Sequence, residues 1–236
     1  MSNVRLFHPE NIIENTTGLL SREHTHYVVN VMRLKRGSNL NFFNKDGEWL
    51  SEIVFLDRDR VEVKFLDKIK KPTNTSNIEL AICLVKKTPM ETILQKATEL
   101  GVSKIVPITS DRTEIKELNF ERANKIVIEA TEQSNQMSPP EISKVTKLKN
   151  YIEALESKIL FFADVNSSNK LEPKNFKSGI TNCILIGPEG DFSPSEREHI
   201  LKKSIVVPFS LSKNILRTDT AVISAISLIN FINNNH

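Results

Sequence analysis

Two stretches in the last quarter of the chain hold residue types that could do chemistry. They are NCILIGPEGDFSPSE, from Asn182 to Glu196, and VVPFSLSKNILRTDTA, from Val206 to Ala221. In each, an apolar strand runs into a loop that opens into a helix. In the first, Gly187, Pro188 and Gly190 supply turn geometry. Ser193, Pro194 and Glu196 then spell a helix start: an N-cap, a proline at the first helical position where its missing N–H costs nothing, and a capping-box carboxylate. A strand, a loop and a helix N-terminus together present main-chain N–H groups at the carboxyl end of a sheet, where open α/β sheets bind ligands. Walls of main-chain N–H and C=O groups can read a flat heterocycle without special side chains. The second stretch adds Arg217, Thr218 and Asp219. Taken alone, Thr218 or Asp219 reads as the N-cap of the last helix and Arg217 as a surface cation.

Several common chemistries have no signature in the chain. There is no GxGxxG after a strand, no GxxxxGK, no HExxH and no GxSxG. Of the five histidines only His24 and His26 are close, and residues two apart on a helix do not share a face. Cys83 and Cys183 lie inside the apolar runs LAICLV and NCILI without a CxxC pair, which predicts core packing and no metal site.

With 236 residues, 39% hydrophobic and 26% charged, the composition is that of an ordinary soluble globular protein of one large or two smaller domains. The net charge of +3 allows a nucleic-acid partner without demanding one. Residues 1–70 carry 11 Lys+Arg against 10 Asp+Glu, although Arg33, Lys35 and Arg36 cluster at the end of a predicted helix. No apolar run approaches the roughly 20 residues of a membrane span, and MSNVRLFHPEN lacks a signal-peptide core, so no membrane contact and a cytoplasmic location are expected.

The elements that must position these residues follow from the patterning. KKPTNTSN is polar with one proline and marks a linker over residues 71–77. Before it, SREHTHYVVNVMRL reads as a helix, and NLNFF, EWLSEIVFL and RVEVKFL read as strands, with Asp46-Gly47 as a hairpin turn. Residues 1–70 are therefore expected to form a small β-barrel domain. Over residues 78–236, strands IELAICLV, SKIVPIT, SKILFFAD, TNCILI and SIVVPFS alternate with helices, the first ending at Gly101. That order predicts a mostly parallel sheet covered on both faces, an α/β fold. The last helix, TDTAVISAISLINFI, is apolar around most of its circumference and needs burial partners.

Together GPEGDFSPSE, LSKNILRTDTA, LQKATELGV (Leu94–Val102) and EQS (Glu132–Ser134) resemble the motifs of the bacterial 16S rRNA uracil-N3 methyltransferases of the SPOUT superfamily. In the N-terminal region Arg5, His26, Arg33 and the Asp46-Gly47 turn resemble that family's PUA-like RNA-binding module, so the resemblance covers nearly the whole chain. It implies a trefoil-knotted C-terminal domain, a homodimer, S-adenosylmethionine as methyl donor, and 16S rRNA or the small ribosomal subunit as partner. Carried over, it places Ile186, Gly187, Glu189 and Gly190 on one wall of the donor site and Leu211, Ser212, Ile215, Leu216 and Arg217 on the other. For methylation of uracil N3, Arg217 is the candidate for stabilising charge on a carbonyl oxygen, and Asp219, Glu189 or water for removing the proton. Arg5, Arg33, Lys35, Arg36 and Arg112 are the candidates for holding RNA phosphates.

The chain departs from the family pattern at Asp191 and Ser212, where glycines are usual, and at Asn214, Gln136 and Ser138, where arginines are common. These positions keep two other readings in view. One is a non-catalytic RNA-binding or ribosome-assembly protein of the same fold. The other is a methyltransferase acting on a ribose 2'-oxygen or a tRNA base.

Overall fold

A computed structural model of the chain describes residues 4–72 and 76–234; residues 73–75, at the centre of the expected linker, lie outside the described residues. The chain divides into two compact units, Met1–Thr75 with Thr131–Ser138, and Ser76–Ala130 with Pro139–His236.

In the first unit β1 (Arg5–Phe7) and β2 (Thr17–Leu19) precede a short helix α1 (Arg22–His26) that continues as a π-helical turn over Tyr27–Val31. Ser21 caps α1 by accepting from the His24 N–H. Strands β3 (Asn39–Asn44), β4 (Gly47–Leu56) and β5 (Val61–Lys70) complete a sheet of order β1-β3-β4-β5-β2. All its pairings are antiparallel except β1 with β3. The predicted Asp46-Gly47 turn is displaced by one residue: Asn44 pairs with Gly47, so Lys45 and Asp46 form the two-residue loop. Gly47 has φ +152°, and a Cβ there would lie 2.6 Å from the Lys70 carbonyl oxygen, so only glycine fits. The short strands β1 and β2 were not legible in the sequence, since three residues give no measurable alternation.

Glu48 on β4 is the electrostatic centre of this unit, with its side chain 1% exposed. Asn41 Nδ2 (2.7 Å), Lys70 Nζ (2.8 Å) and Arg5 Nε (3.1 Å) all donate to its carboxylate. Burial opposes ionisation, but the Lys70 and Asn41 hydrogen bonds and the Arg5 charge outweigh it and hold the carboxyl below its ordinary value of 4.5. A folded-state value below the unfolded one contributes stability that is present above about pH 4.5 and is lost as pH falls through the folded value. Urea midpoints measured from pH 7 to pH 3 should therefore fall less steeply for Glu48→Gln than for the wild type, from a lower starting stability.

The second unit begins with β6 (Ile78–Cys83), α2 (Lys87–Glu99), β7 (Lys104–Thr109) and α3 (Phe120–Gln133), the last turn of which clusters with the first unit. Then follow β8 (Glu141–Ile142), β9 (Thr146–Lys147), α4 (Leu148–Glu153), β10 (Lys158–Ala163), β11 (Thr181–Ile186), α5 (Pro194–Leu201), β12 (Val206–Phe209) and α6 (Thr218–Asn234). The sheet order is β12-β10-β11-β6-β7-β8, with β9 also on β7, and every pairing is parallel. Side chains alternate across it. Ile78, Leu80, Ile82, Ile159, Phe161, Ile184 and Ile186 pack beneath α2, α3 and α6, while Ala81, Cys83, Leu160, Phe162, Cys183 and Leu185 pack beneath α4 and α5. Two buried faces explain why these strands read as unbroken apolar runs.

Gly101, φ +84°, ends α2 as the sequence predicts: its N–H donates to Thr98 O, and the Val102 N–H reaches back to Ala97 O. Cys83 and Cys183 are buried free thiols, and burial pushes both up to about 12. Native protein at pH 8 should leave an aromatic disulfide reagent unreacted, with both thiols titrating only after addition of denaturant. Absorbance at the released thiolate checks this.

Candidate active site

Because β6, β10, β11 and β12 run parallel, their outgoing loops share one edge of the sheet. The loop after β11 carries GPEG and enters α5 through the predicted cap. The Glu196 N–H donates to Ser193 Oγ (3.3 Å), and the Ser193 N–H donates to Glu196 Oε2 (2.9 Å). The other oxygen of Glu196 has a task the sequence did not disclose. It accepts from the Asp111 N–H at 2.8 Å, and Ser193 Oγ donates to Asp111 Oδ2 at 2.7 Å. Arg112 Nη1 donates to Gly190 O at 2.8 Å. The loop after β7 is thereby latched to the GPEG loop, a long-range pairing for which no local pattern codes.

Asp191 occupies the left-handed region at φ +59°, which L-residues other than Asn and Asp rarely adopt. Its Oδ1 accepts from the Phe192 N–H at 2.8 Å, so the carboxylate itself supports the turn that glycine makes elsewhere in the family pattern. Asp191→Gly should leave the thermal midpoint within about 2 °C, whereas Asp191→Val should destabilise by about 1–2 kcal/mol through backbone strain. Thermal unfolding of both variants separates them.

The loop after β12 is held at its start by the Ser210 N–H on Asn169 O (2.9 Å). Ser212, at the second departure, closes a turn by accepting from the Asn214 N–H at 3.0 Å. Ile215 is 94% exposed, and Leu211 and Leu216 are half-buried. The helix α6 starts at Thr218, and the Ala221 N–H donates to Arg217 O at 2.8 Å. Arg217 therefore occupies the cap position, and the reading of Thr218 or Asp219 as the N-cap is corrected. Asp219 instead lies 3.7 Å from Arg217 Nε, with the Arg217 side chain 74% exposed. Helix α6 packs on α2 and β11.

The expected RNA-contacting cations divide. Arg33 (φ +51°), Lys35 and Arg36 are exposed on a turn fixed by the Lys35 N–H on Ser38 Oγ and the Leu34 N–H on Val28 O. Arg112 is exposed but engaged with Gly190. Arg5 differs from the others: its side chain is 9% exposed and stacks 4.0 Å over Phe43. Its guanidinium donates to Glu48, Thr131 O, Glu132 O and Gln136 O. It neutralises the carbonyl end of α3, where Asn135 turns into the left-handed region at φ +60°. The EQS motif belongs to the same junction, since Glu132 Oε1 accepts from the Phe7 N–H at 2.9 Å.

Among the described residues, no group of three or more His, Cys, Asp or Glu side chains is placed to hold a metal ion, and no helix is long and apolar enough to cross a membrane.

This arrangement of loops at the carboxyl edge of a parallel sheet has counterparts. The RNA methyltransferase domain family matches residues 70–230, and the RNA methyltransferase PUA domain matches residues 20–66. The chain belongs to the RNA methyltransferase family. Ribosomal RNA small subunit methyltransferase E of Rickettsia conorii is 32% identical over 97% of this chain and 95% of its own length. The Bacillus subtilis protein of the same name is 28% identical over 94% of this chain and 93% of its own length. Ribosomal RNA small subunit methyltransferase E of Neisseria gonorrhoeae, solved bound to S-adenosyl methionine, is 25% identical, with a TM-score of 0.86 and 98% of each chain covered. A Legionella pneumophila methyltransferase solved with bound SAM is 28% identical, with the same TM-score and 98% of each chain covered. The resemblance drawn from GPEG and ILRT thus extends over 97% of this chain in the Rickettsia protein and 98% in the two solved structures.

Proposed function

We propose that the chain transfers a methyl group from S-adenosylmethionine to N3 of a uridine in small-subunit ribosomal RNA. The observation that carries this reading is that the loops after β11 and β12 leave the same edge of one parallel sheet, with an exposed arginine at the end of the second. The residues there fit the donor. Ile215, 94% exposed, leaves an apolar surface for the face of an adenine. Ile186, Gly187, Leu211 and Leu216 add apolar positions along the two loops. When bound, the donor supplies a methyl group on a positively charged sulfur.

Uracil N3 is a poor nucleophile until its proton leaves, so the protein must favour the anion and align it. Glu189, exposed on the GPEG loop, is assigned to take the N3 proton. Arg217 stabilises the negative charge that develops on a uracil carbonyl oxygen. Asp219, 3.7 Å from Arg217, orients that guanidinium. N3 then bonds to the methyl carbon as the carbon–sulfur bond breaks, the electron pair remaining on sulfur. Arg33, Lys35, Arg36 and Arg112 contact RNA phosphates, and the target base is unpaired or turned out, since N3 lies inside a Watson–Crick pair.

The departures at Asp191 and Ser212 support catalysis over a purely architectural role, because each has a local hydrogen bond that preserves the turn. A second copy of the chain completes the burial of α6, whose Ile223 and Leu228 are half-buried, and the enzyme acts in the cytoplasm, where its RNA is. Mass-spectrometric mapping of small-subunit rRNA from cells with and without the gene tests the reaction. Loss of a single N3-methyluridine is expected; an unchanged modification map refutes it.

A further inference from the structure

We infer that the cleft between the carboxyl ends of β6 and β11 is the subsite for the acceptor base, with Lys86 in direct contact with the uracil; this rests on the methyl-transfer reading above. The chain leaving β6 crosses toward β7, and the chain leaving β11 crosses the other way, toward β12, although β6 and β11 are neighbours. Loops that diverge from adjacent parallel strands open a crevice, the position at which doubly wound sheets take ligands. Here the crevice is a cavity of about 90 Å³, whose lining includes Leu84, Val85, Lys86, Arg112, Pro188 and Glu189.

Its chemistry suits a uracil. Leu84, Val85 and Pro188 are buried and supply an apolar floor for the faces of a ring. The rim carries two cations, Lys86 and Arg112, and two carboxylates, Glu114 and Glu189. The Watson–Crick edge of uracil presents an acceptor, a donor and an acceptor in sequence: O4, N3–H and O2. Lys86 supplies a donor for one oxygen and leaves the other to Arg217, and Glu189 supplies an acceptor for N3–H. A phosphate would meet both carboxylates, whereas a neutral ring meets matched partners and, after losing its proton, two cations. Lys86 sits at the cap position of α2, and its exposed side chain does not cap that helix. The cleft is held open by the Arg112 to Gly190 bond and the Asp111, Ser193 and Glu196 latch.

Two measurements test the assignment. Lys86→Met keeps the stem and removes the charge. Its affinity for S-adenosylmethionine by calorimetry should stay within about twofold, while kcat on a small-subunit rRNA fragment falls about 100-fold, the cost of one lost donor to a developing oxyanion. A kcat near wild type, or donor affinity falling in parallel, overturns the proposal. The second measurement needs no turnover: a fragment with 4-thiouridine at the target position is photo-cross-linked to the wild-type protein and the adduct mapped. Adducts at residues 84–86, 112–115 or 188–190 support the cleft, and adducts confined elsewhere overturn it. Failure of the wild type to methylate the fragment counts against the methyl-transfer reading; cross-links at the cleft in that case still place the base there.

Discussion

Arg217→Ala is expected to lower kcat by about 100- to 1,000-fold while leaving the fold intact. The size follows from its assigned part: a donor aimed at charge that appears only in the transition state lowers the barrier without tightening the ground state. The expectation of an intact fold follows from its surroundings. The side chain is 74% exposed, and its one ion pair, with Asp219 at 3.7 Å, is too long and too wet to matter for stability. The cap bond that begins α6 is made by the main-chain oxygen of Arg217, which alanine retains. Thermal unfolding should shift by no more than a surface substitution does, about 0.5 kcal/mol. Methyl transfer to the rRNA fragment, measured alongside the melt and donor affinity, decides the matter. Turnover within a few-fold of wild type would sink the assignment, and a lost fold would show that the loop is structural. Arg217→Lys should recover only part of the rate, because an ammonium keeps the charge but not the planar fork.

The largest effect on stability should come from Arg5→Ala, about 3–5 kcal/mol, the range for removing one partner of a buried ion pair. Three losses coincide. Glu48, 1% exposed, keeps only Lys70 and Asn41 as donors. The carbonyls of Thr131, Glu132 and Gln136 each lose the guanidinium as a donor. The Phe43 ring loses the cation stacked on it. Arg5→Lys should recover little, since one ammonium cannot reach a carboxylate and several carbonyls at once. Chemical denaturation of the three proteins checks this. If Arg5→Ala instead melts like the wild type but weakens RNA binding with a shallower salt dependence, Arg5 is a phosphate contact after all.

Arg5 also shows where reading the sequence stops. An arginine three residues before a histidine, in a short N-terminal strand, looks like any surface cation, and its carbonyl partners lie more than 120 positions away at the end of α3. Glu196 repeats the lesson: its capping role was legible from Ser193 and Pro194, but its bond to the Asp111 N–H spans 85 residues and has no local sign. Lys86 has no local sign either, because a lysine ahead of a helix is commonplace until β11 is known to lie beside β6.

What the chain alone determined was local or repetitive. The capping box at Ser193, the glycine ending α2 and the two-sided apolar strands are set by backbone sterics and by burial on both faces, and these leave their mark within a few neighbouring residues. The order of strands, the cleft where β6 and β11 diverge, the latch between Asp111 and Glu196 and the burial of Arg5 were decided only by the tertiary structure. Each depends on segments brought together from far apart, where packing and hydrogen-bond satisfaction over the whole fold select the partners and no sequence period records them.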